Sequence, residues 1–209
     1  MILEALVVGP LQVNCFIVGC EATKSALVID PGDEGERILE RVTSLGLQLK
    51  TIINTHGHFD HVGANHFLMQ KTGAELLIHK ADATLLPQAK AHGQKYGLDV
   101  QISPAPNQLL EGKEKLTVGT LAIQVIPTPG HTPGGISLLI GDHLFAGDTL
   151  FAASVGRTDL PGGNHETLVA SIRKGLFILP DATIVHPGHG PDTTIGREKR
   201  LNPYVGAGA

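Results

Sequence analysis

The sequence predicts an α/β protein folded as a four-layer αββα sandwich, one domain over residues 1–209. Two observations carry this expectation. Short β-branched or apolar runs alternate with segments whose apolar residues recur every three or four positions, and they do so in both halves of the chain. With 209 residues, 42% hydrophobic and 17% charged, the chain has the composition of a folded protein with a sizeable core, and it shows neither a linker nor a low-complexity tract.

Val7 to Val18 and Ala26 to Ile29 read as opening strands, the second ending at the turn Asp30-Pro31-Gly32. Asp33 with Glu36 has the spacing of a capping box, and Ile38, Val42 and Leu45 follow at helical spacing up to Gly46. Thr51-Ile52-Ile53-Asn54-Thr55 is a strand. Val62, Phe67 and Leu68 suit a helix ending near Gly73, and Glu75 to His79 is the next strand. Residues 80 to 107 are broken by Pro87, Gly93, Gly97, Pro104 and Pro106, with helical stretches such as Ala81 to Leu86, and form an excursion expected to overhang a site. Lys115 to Val118, Leu121 to Ile126, Ile136 to Ile140 and His143 to Ala146 are strands separated by glycine turns. Leu168, Ile172, Leu176 and Leu179 step along a helix capped by Asn164, and Thr183-Ile184-Val185 feeds a final turn.

The same composition excludes several function classes. A formal charge of −4 without a basic block gives no footprint for nucleic acid. No apolar run approaches the ~18 residues of a membrane span, and Met1-Ile2-Leu3-Glu4 lacks the basic start of a secretory signal, so a cytoplasmic location is expected. Cys15 and Cys20 flank a strand and lie too far apart for a disulfide, so they are expected as buried free thiols. Any metal is therefore held by nitrogen and oxygen. Composition sets no oligomeric state.

The chemistry is concentrated at strand ends. His56-Gly57-His58-Phe59-Asp60-His61 places four potential ligands in six positions directly after an apolar run. Imidazoles and a carboxylate at that density make most sense if cations hold them. Three further turns each add a donor: His131 at the centre of Pro127-Thr128-Pro129-Gly130-His131-Thr132-Pro133-Gly134-Gly135, Asp148 after Leu144-Phe145-Ala146-Gly147, and His189 in His186-Pro187-Gly188-His189-Gly190. Taken together, His56, His58, Asp60, His61, His131, Asp148 and His189 are the donors two adjacent divalent ions need when one carboxylate bridges them. Five imidazoles and two carboxylates suit zinc, iron or manganese, and geometry and availability choose among them. His66, His79, His92, His143, His165 and His186 have no partner in this pattern and are read as structural or surface residues, His79 having the weaker alternative of lining the pocket.

These motifs resemble the metallo-β-lactamase-fold hydrolases, and Gly147-Asp148-Thr149-Leu150-Phe151, Gly156-Arg157-Thr158-Asp159 and Pro187-Gly188-His189-Gly190 are most similar to the glyoxalase II (hydroxyacylglutathione hydrolase) group, in its short bacterial form without the extra C-terminal helical region. The resemblance implies a first metal on His56, His58 and His131, a second on Asp60, His61 and His189, and Asp148 as the bridge. It implies hydrolysis of a small-molecule thioester such as S-lactoylglutathione by a hydroxide held on the metals, with Asp148 and Asp60 as catalytic carboxylates and Asp60 orienting the nucleophile. Arg157 falls where the family places a cationic contact to glutathione; a structural salt bridge is the competing role. Asp159 replaces an aromatic residue of the longer enzymes. The Gly-Arg-Thr-Asp run also resembles persulfide dioxygenases, in which His56, His131 and Asp148 would hold a single iron. A non-catalytic metal-binding role ranks below both, because structural sites are usually closed and mononuclear.

Overall fold

The computed structural model describes residues 1–208. One six-stranded sheet is built from β1 (Ile2–Val8), β2 (Val13–Gly19), β3 (Ser25–Ile29), β4 (Gln48–Ile53), β5 (Glu75–His79) and β6 (Gln108–Leu110), adjacent in that order. Its first three strands are antiparallel and the rest join in parallel. The second sheet draws on β7 (Lys115–Val118), β8 (Leu121–Pro127), β9 (Ile136–Ile140), β10 (His143–Gly147), then, beyond the small ribbon β11 (Leu150–Phe151) and β12 (Ser154–Val155), β13 (Ile184–Pro187) and β14 (Thr193–Thr194). Its order is β14-β13-β10-β9-β8-β7, with β10 and β13 parallel.

Alternation along each strand explains the layering. In β2, Phe16 and Val18 turn toward the second sheet while Cys15 and Ile17 turn the other way; in β3, Leu27 and Ile29 oppose Ala26 and Val28. The inter-sheet layer meets Val125, Leu138 and Phe145 of the second sheet. Outside the first sheet, Ile38 and Val42 of α1 (Gly35–Ser44) and Leu68 pack on Val28 and Ile52. Leu68 lies on α3 (Asn65–Thr72), which follows α2 (Phe59–Val62). Beyond them come a 3₁₀ turn (Ala83–Gln88) and α4 (Ala89–Gln94). Outside the second sheet, Leu168 of α5 (His165–Ser171), Ile172 and Leu176 of the π-helical turn that continues it, and Ile195 of α6 (Ile195–Leu201) cover Leu144, Ala146 and Val185. The arrangement is the expected αββα sandwich. Cys15 and Cys20 are buried and free, and no helix among the described residues is long and apolar enough to cross a membrane.

Four local expectations are corrected. Val7 to Val18 is not one strand: Gly9 and Gln12 take left-handed backbone and the Gln12 amide donates to the Gly9 carbonyl, so the chain reverses and β1 pairs with β2. The capping box does not form, because Glu34 itself is left-handed; its carboxylate instead accepts from the Gly9 amide at 2.8 Å and Arg37 at 2.7 Å. The helix read from Val62 to Gly73 is two helices broken at Gly63, where a side chain would strike the Gly32 carbonyl. The helical stretch expected at Ala81 to Leu86 is the 3₁₀ turn, Pro87 lying inside it. The Asn164 cap does form, its Oδ1 accepting the Thr167 amide at 2.8 Å. Asn164→Ala should therefore lower unfolding stability by about 1 kcal/mol, read from denaturant midpoints; an unchanged midpoint would contradict the cap's role.

Candidate metal centre

The sandwich brings the C-terminal ends of β4, β8, β10 and β13 to one rim, and the seven sequence-derived donors all sit just beyond these ends. His56 leaves β4; the chain turns at Gly57, and α2 carries Asp60 and His61. His131 follows β8, Asp148 follows β10 and His189 follows β13. Gly188 has no alternative, since a side chain there would collide with the Asp148 carboxylate and the His61 ring.

Two donor triplets result from these seven residues, and Asp30 forms a further one with His56 and His61. The ligand atoms of His56, His58 and His131 lie within 4.8 Å of one another, and so do those of Asp60, His61 and His189. Asp148 lies between the triplets: Oδ2 is 3.6 Å from His131 Nε2 and 3.6 Å from His189 Nε2, while Oδ1 is 3.5 Å from His61 Nε2.

The orientation of each ring is set from behind. His131 Nδ1 faces the Arg157 carbonyl at 2.7 Å and His189 Nδ1 faces the Leu11 carbonyl at 3.0 Å. A carbonyl only accepts, so both Nδ1 atoms carry hydrogen and both Nε2 lone pairs turn inward. His61 Nδ1 donates to Asp30 Oδ2 at 3.0 Å. Thr55 Oγ1 donates to the same oxygen at 2.6 Å, which leaves it free to accept from His56 Nδ1 at 3.1 Å. His58 alone points Nδ1 inward, 2.9 Å from His131 Nε2.

Left to themselves, these groups conflict. His56 Nε2, His61 Nε2 and Asp148 Oδ1 are buried without a hydrogen-bond partner. His189 Nε2 faces Asp60 Oδ2 3.4 Å away, and although burial opposes its charge the nearby carboxylates raise the pKa of this imidazole. Burial and the neighbouring imidazoles hold His56 well below the ordinary histidine range, and burial with His131 brings His58 down to about 3, so both offer lone pairs at neutral pH. Burial works against a charged His61, but Asp148, Asp60 and Asp30 outweigh it and push that group up to about 10. The same three carboxylates would favour a cation in the proton's place. Inward lone pairs, orphaned buried atoms and a shared carboxylate fit divalent metal.

The centre floors a cavity of about 680 Å³. The expected excursion does overhang it, contributing Leu85, His92, Lys95 and Tyr96, with Tyr96 stacked on Phe59 at 5.3 Å between ring centroids. His92 thus lines the cavity, contrary to its reading as a structural or surface residue; its signal is hidden in an irregular segment. His79, which accepts the Ala81 amide, lies outside the cavity, and His143 and His186 pair with each other at 2.8 Å away from it. Arg157 reaches the wall, but its guanidinium is held by Asp159 through two contacts of 2.7 Å. Sequence reasoning misses Asp30, which looks like turn chemistry before Pro31-Gly32 yet accepts from the Thr55 amide at 2.7 Å as well as from Thr55 Oγ1 and His61.

Comparison with known proteins identifies the family and the fold. Residues 8–189 match the family model described as the metallo-beta-lactamase superfamily. The chain is 39% identical to a Haemophilus influenzae protein named hydroxyacylglutathione hydrolase GloC, covering 98% of each. Among solved structures it resembles the B3 metallo-beta-lactamase BLEG-1 (TM-score 0.91, 35% identity, 98% of this chain and 99% of that one). It also resembles TTHA1623 in a di-iron-bound form (0.89, 40%, 96% and 99%) and ETHE1 from Myxococcus xanthus (0.85, 35%, 98% and 84%). Asp148→Ala should lose divalent metal, measured by atomic emission after dialysis of a refolded or natively purified protein; full retention would remove Asp148 from the centre.

Proposed function

Because the chain belongs to the metallo-β-lactamase superfamily, we propose that it is a metal-dependent hydrolase of small-molecule thioesters, with S-lactoylglutathione as the model substrate. The observation that carries the reading is the pair of donor triplets joined by Asp148 on the floor of a largely apolar cavity. In this reading His56, His58 and His131 would hold one divalent ion and Asp60, His61 and His189 a second, with Asp148 available to both. Zinc is the first choice, and the di-iron neighbour supports iron as the alternative. Such ions, when bound, supply Lewis acidity for a carbonyl and bring the pKa of water from 15.7 to roughly 7.

The protein's own residues do the rest. Asp60, although burial opposes it, is held below the ordinary carboxylate range by His61 and His189, so it stays an acceptor able to orient a water hydrogen. Asp148 keeps Oδ1 without a hydrogen-bond partner, free for the shared ligand role. Phe59, Phe151 and Leu160 shield the acyl group from water. A thiolate leaving group, with a parent pKa of about 8.5, needs no strong general acid, which matches a cavity floor whose imidazoles are committed from behind through Nδ1.

Anionic parts of the substrate meet the cavity's cations. Arg157 serves as the substrate contact in this reading, but a carboxylate must compete with Asp159 for it. Lys95, on the overhanging segment, has no acidic partner within 4 Å among the described residues and adds a second, uncommitted charge.

Steady-state hydrolysis of S-D-lactoylglutathione by protein of measured metal content should give kcat/KM above ~10⁴ M⁻¹s⁻¹, exceeding turnover of β-lactams. Oxygen-dependent persulfide oxidation with one iron per chain and no thioester turnover would instead favour the dioxygenase reading, towards which the ETHE1 likeness points. Arg157→Ala should raise KM for anionic thioesters by roughly two- to fivefold at constant kcat, the size of an exposed ion pair; an unchanged KM would refute the contact.

A further inference from the structure

Asp82 is a buried carboxylate, 0% exposed, that none of the roles above uses. It lies where β5 gives way to the 3₁₀ turn that begins the cavity's overhang. Its Oδ2 accepts the Gly57 amide at 3.0 Å and its Oδ1 accepts the Gly134 amide at 2.6 Å. Gly57 separates His56 from His58, and Gly134 lies three residues beyond His131. One side chain therefore ties together the two loops, from different sheets, that present the His56, His58 and His131 triplet.

The close approach is built into all three segments. A Cβ on Gly134 would lie 2.6 Å from Asp82 Oδ1, and a Cβ on Gly57 would lie 2.8 Å from the Asp82 carbonyl, so glycine is required at both contacts. No Lys, Arg or His nitrogen lies within 4 Å of the Asp82 carboxylate among the described residues, so the two amides are its compensation. The backbone is equally committed: the Asp82 amide donates to the His79 carbonyl at 3.0 Å, and its carbonyl accepts the Leu85 amide at 2.9 Å. Leu85 is part of the cavity wall. Asp82 is not itself a member of any donor triplet.

We propose that Asp82 is the positioning residue of the His56, His58 and His131 centre, a strap that sets the spacing of the two ligand loops and roots the overhanging wall on the same carboxylate. The inference rests on the metal reading of that triplet. An asparagine at this position keeps the volume but accepts through one oxygen only, turning an N–H against one of the two amides. One loop is then released, and the donors held by that loop lose their fixed separation. Loss of a partner that orients metal ligands typically costs 10- to 100-fold in affinity.

The test uses chelator-stripped full-length protein titrated with Co²⁺, in the wild type and in a His189→Ala background that isolates the first triplet. Asp82→Asn should weaken Co²⁺ binding in the His189→Ala background by roughly 10- to 100-fold and alter the ligand-field absorption band, while the far-UV circular dichroism and cooperative melting stay native. Asp82→Glu, which keeps the charge but displaces it, is measured in parallel and should show the same loss should Asp82→Asn fail to fold. An unchanged isotherm and spectrum in a folded variant would overturn the strap alone. Equal loss at both triplets with a non-cooperative melt would mark a general folding role and overturn it too. Absence of Co²⁺ binding to the first triplet in the wild type would overturn the metal reading together with this inference.

Discussion

The donors at the rim of this sandwich cannot satisfy one another. Four of the five imidazoles have their Nδ1 hydrogens drawn outward by the Arg157 and Leu11 carbonyls, by Asp30 and by Thr55, so their Nε2 atoms converge. Two carboxylates, Asp60 and Asp148, point into the same space. An unpaired buried polar group costs on the order of 1–3 kcal/mol, and here His56, His61 and Asp148 each contribute one. In the proposed metal reading divalent cations would resolve this conflict, and the rest of the structure is arranged to hold the donors in place for them.

That arrangement begins in the core. Phe16, Leu27 and Ile53 of one sheet pack on Val125, Leu138 and Phe145 of the other, which fixes the separation of the β4 loop from the β8 and β10 loops. Direct ties then refine it: the Ile136 amide donates to the Thr55 carbonyl at 2.9 Å, and Asp30 collects Thr55 and His61. Glycines mark the points where loops must touch without side chains between them. Placing ligands on short loops at rigid strand ends gives the centre the precision of the sheets rather than the mobility of the surface.

Much of this is legible in the amino-acid sequence. Most of the seven candidate donors are readable because they stand after apolar runs and inside turns rich in glycine or proline, a context in which a polar side chain has few structural duties; Asp60 and His61, which lie on α2, are readable from their density beside His56 and His58. The layers are readable because the strands alternate and the helices α1 and α5 keep their spacing. Asp30 and Asp82 are not, since a single aspartate near a turn has the same local signature whether it caps that turn or reaches across the molecule; only the tertiary fold distinguishes them. The break at Gly63 and the left-handed Glu34 escape for the same reason, being imposed by Gly32 and by Gly9, residues remote in the sequence. The overhang's His92, Lys95 and Tyr96 sit in a stretch whose prolines and glycines erase periodicity.

The substrate face follows from the metal face. In the proposed reading an apolar cavity with a few cationic side chains on its walls and inward-turned donors on its floor would take an anionic acyl thioester, and only if metal ions occupy that floor does the cavity acquire a reactive group. Anomalous diffraction at the metal absorption edge, on crystals of metal-loaded protein, tests this most directly. The account predicts two peaks, one among His56, His58 and His131 and one among Asp60, His61 and His189, with Asp148 in contact with both. Peaks elsewhere, or none at full loading, would contradict it.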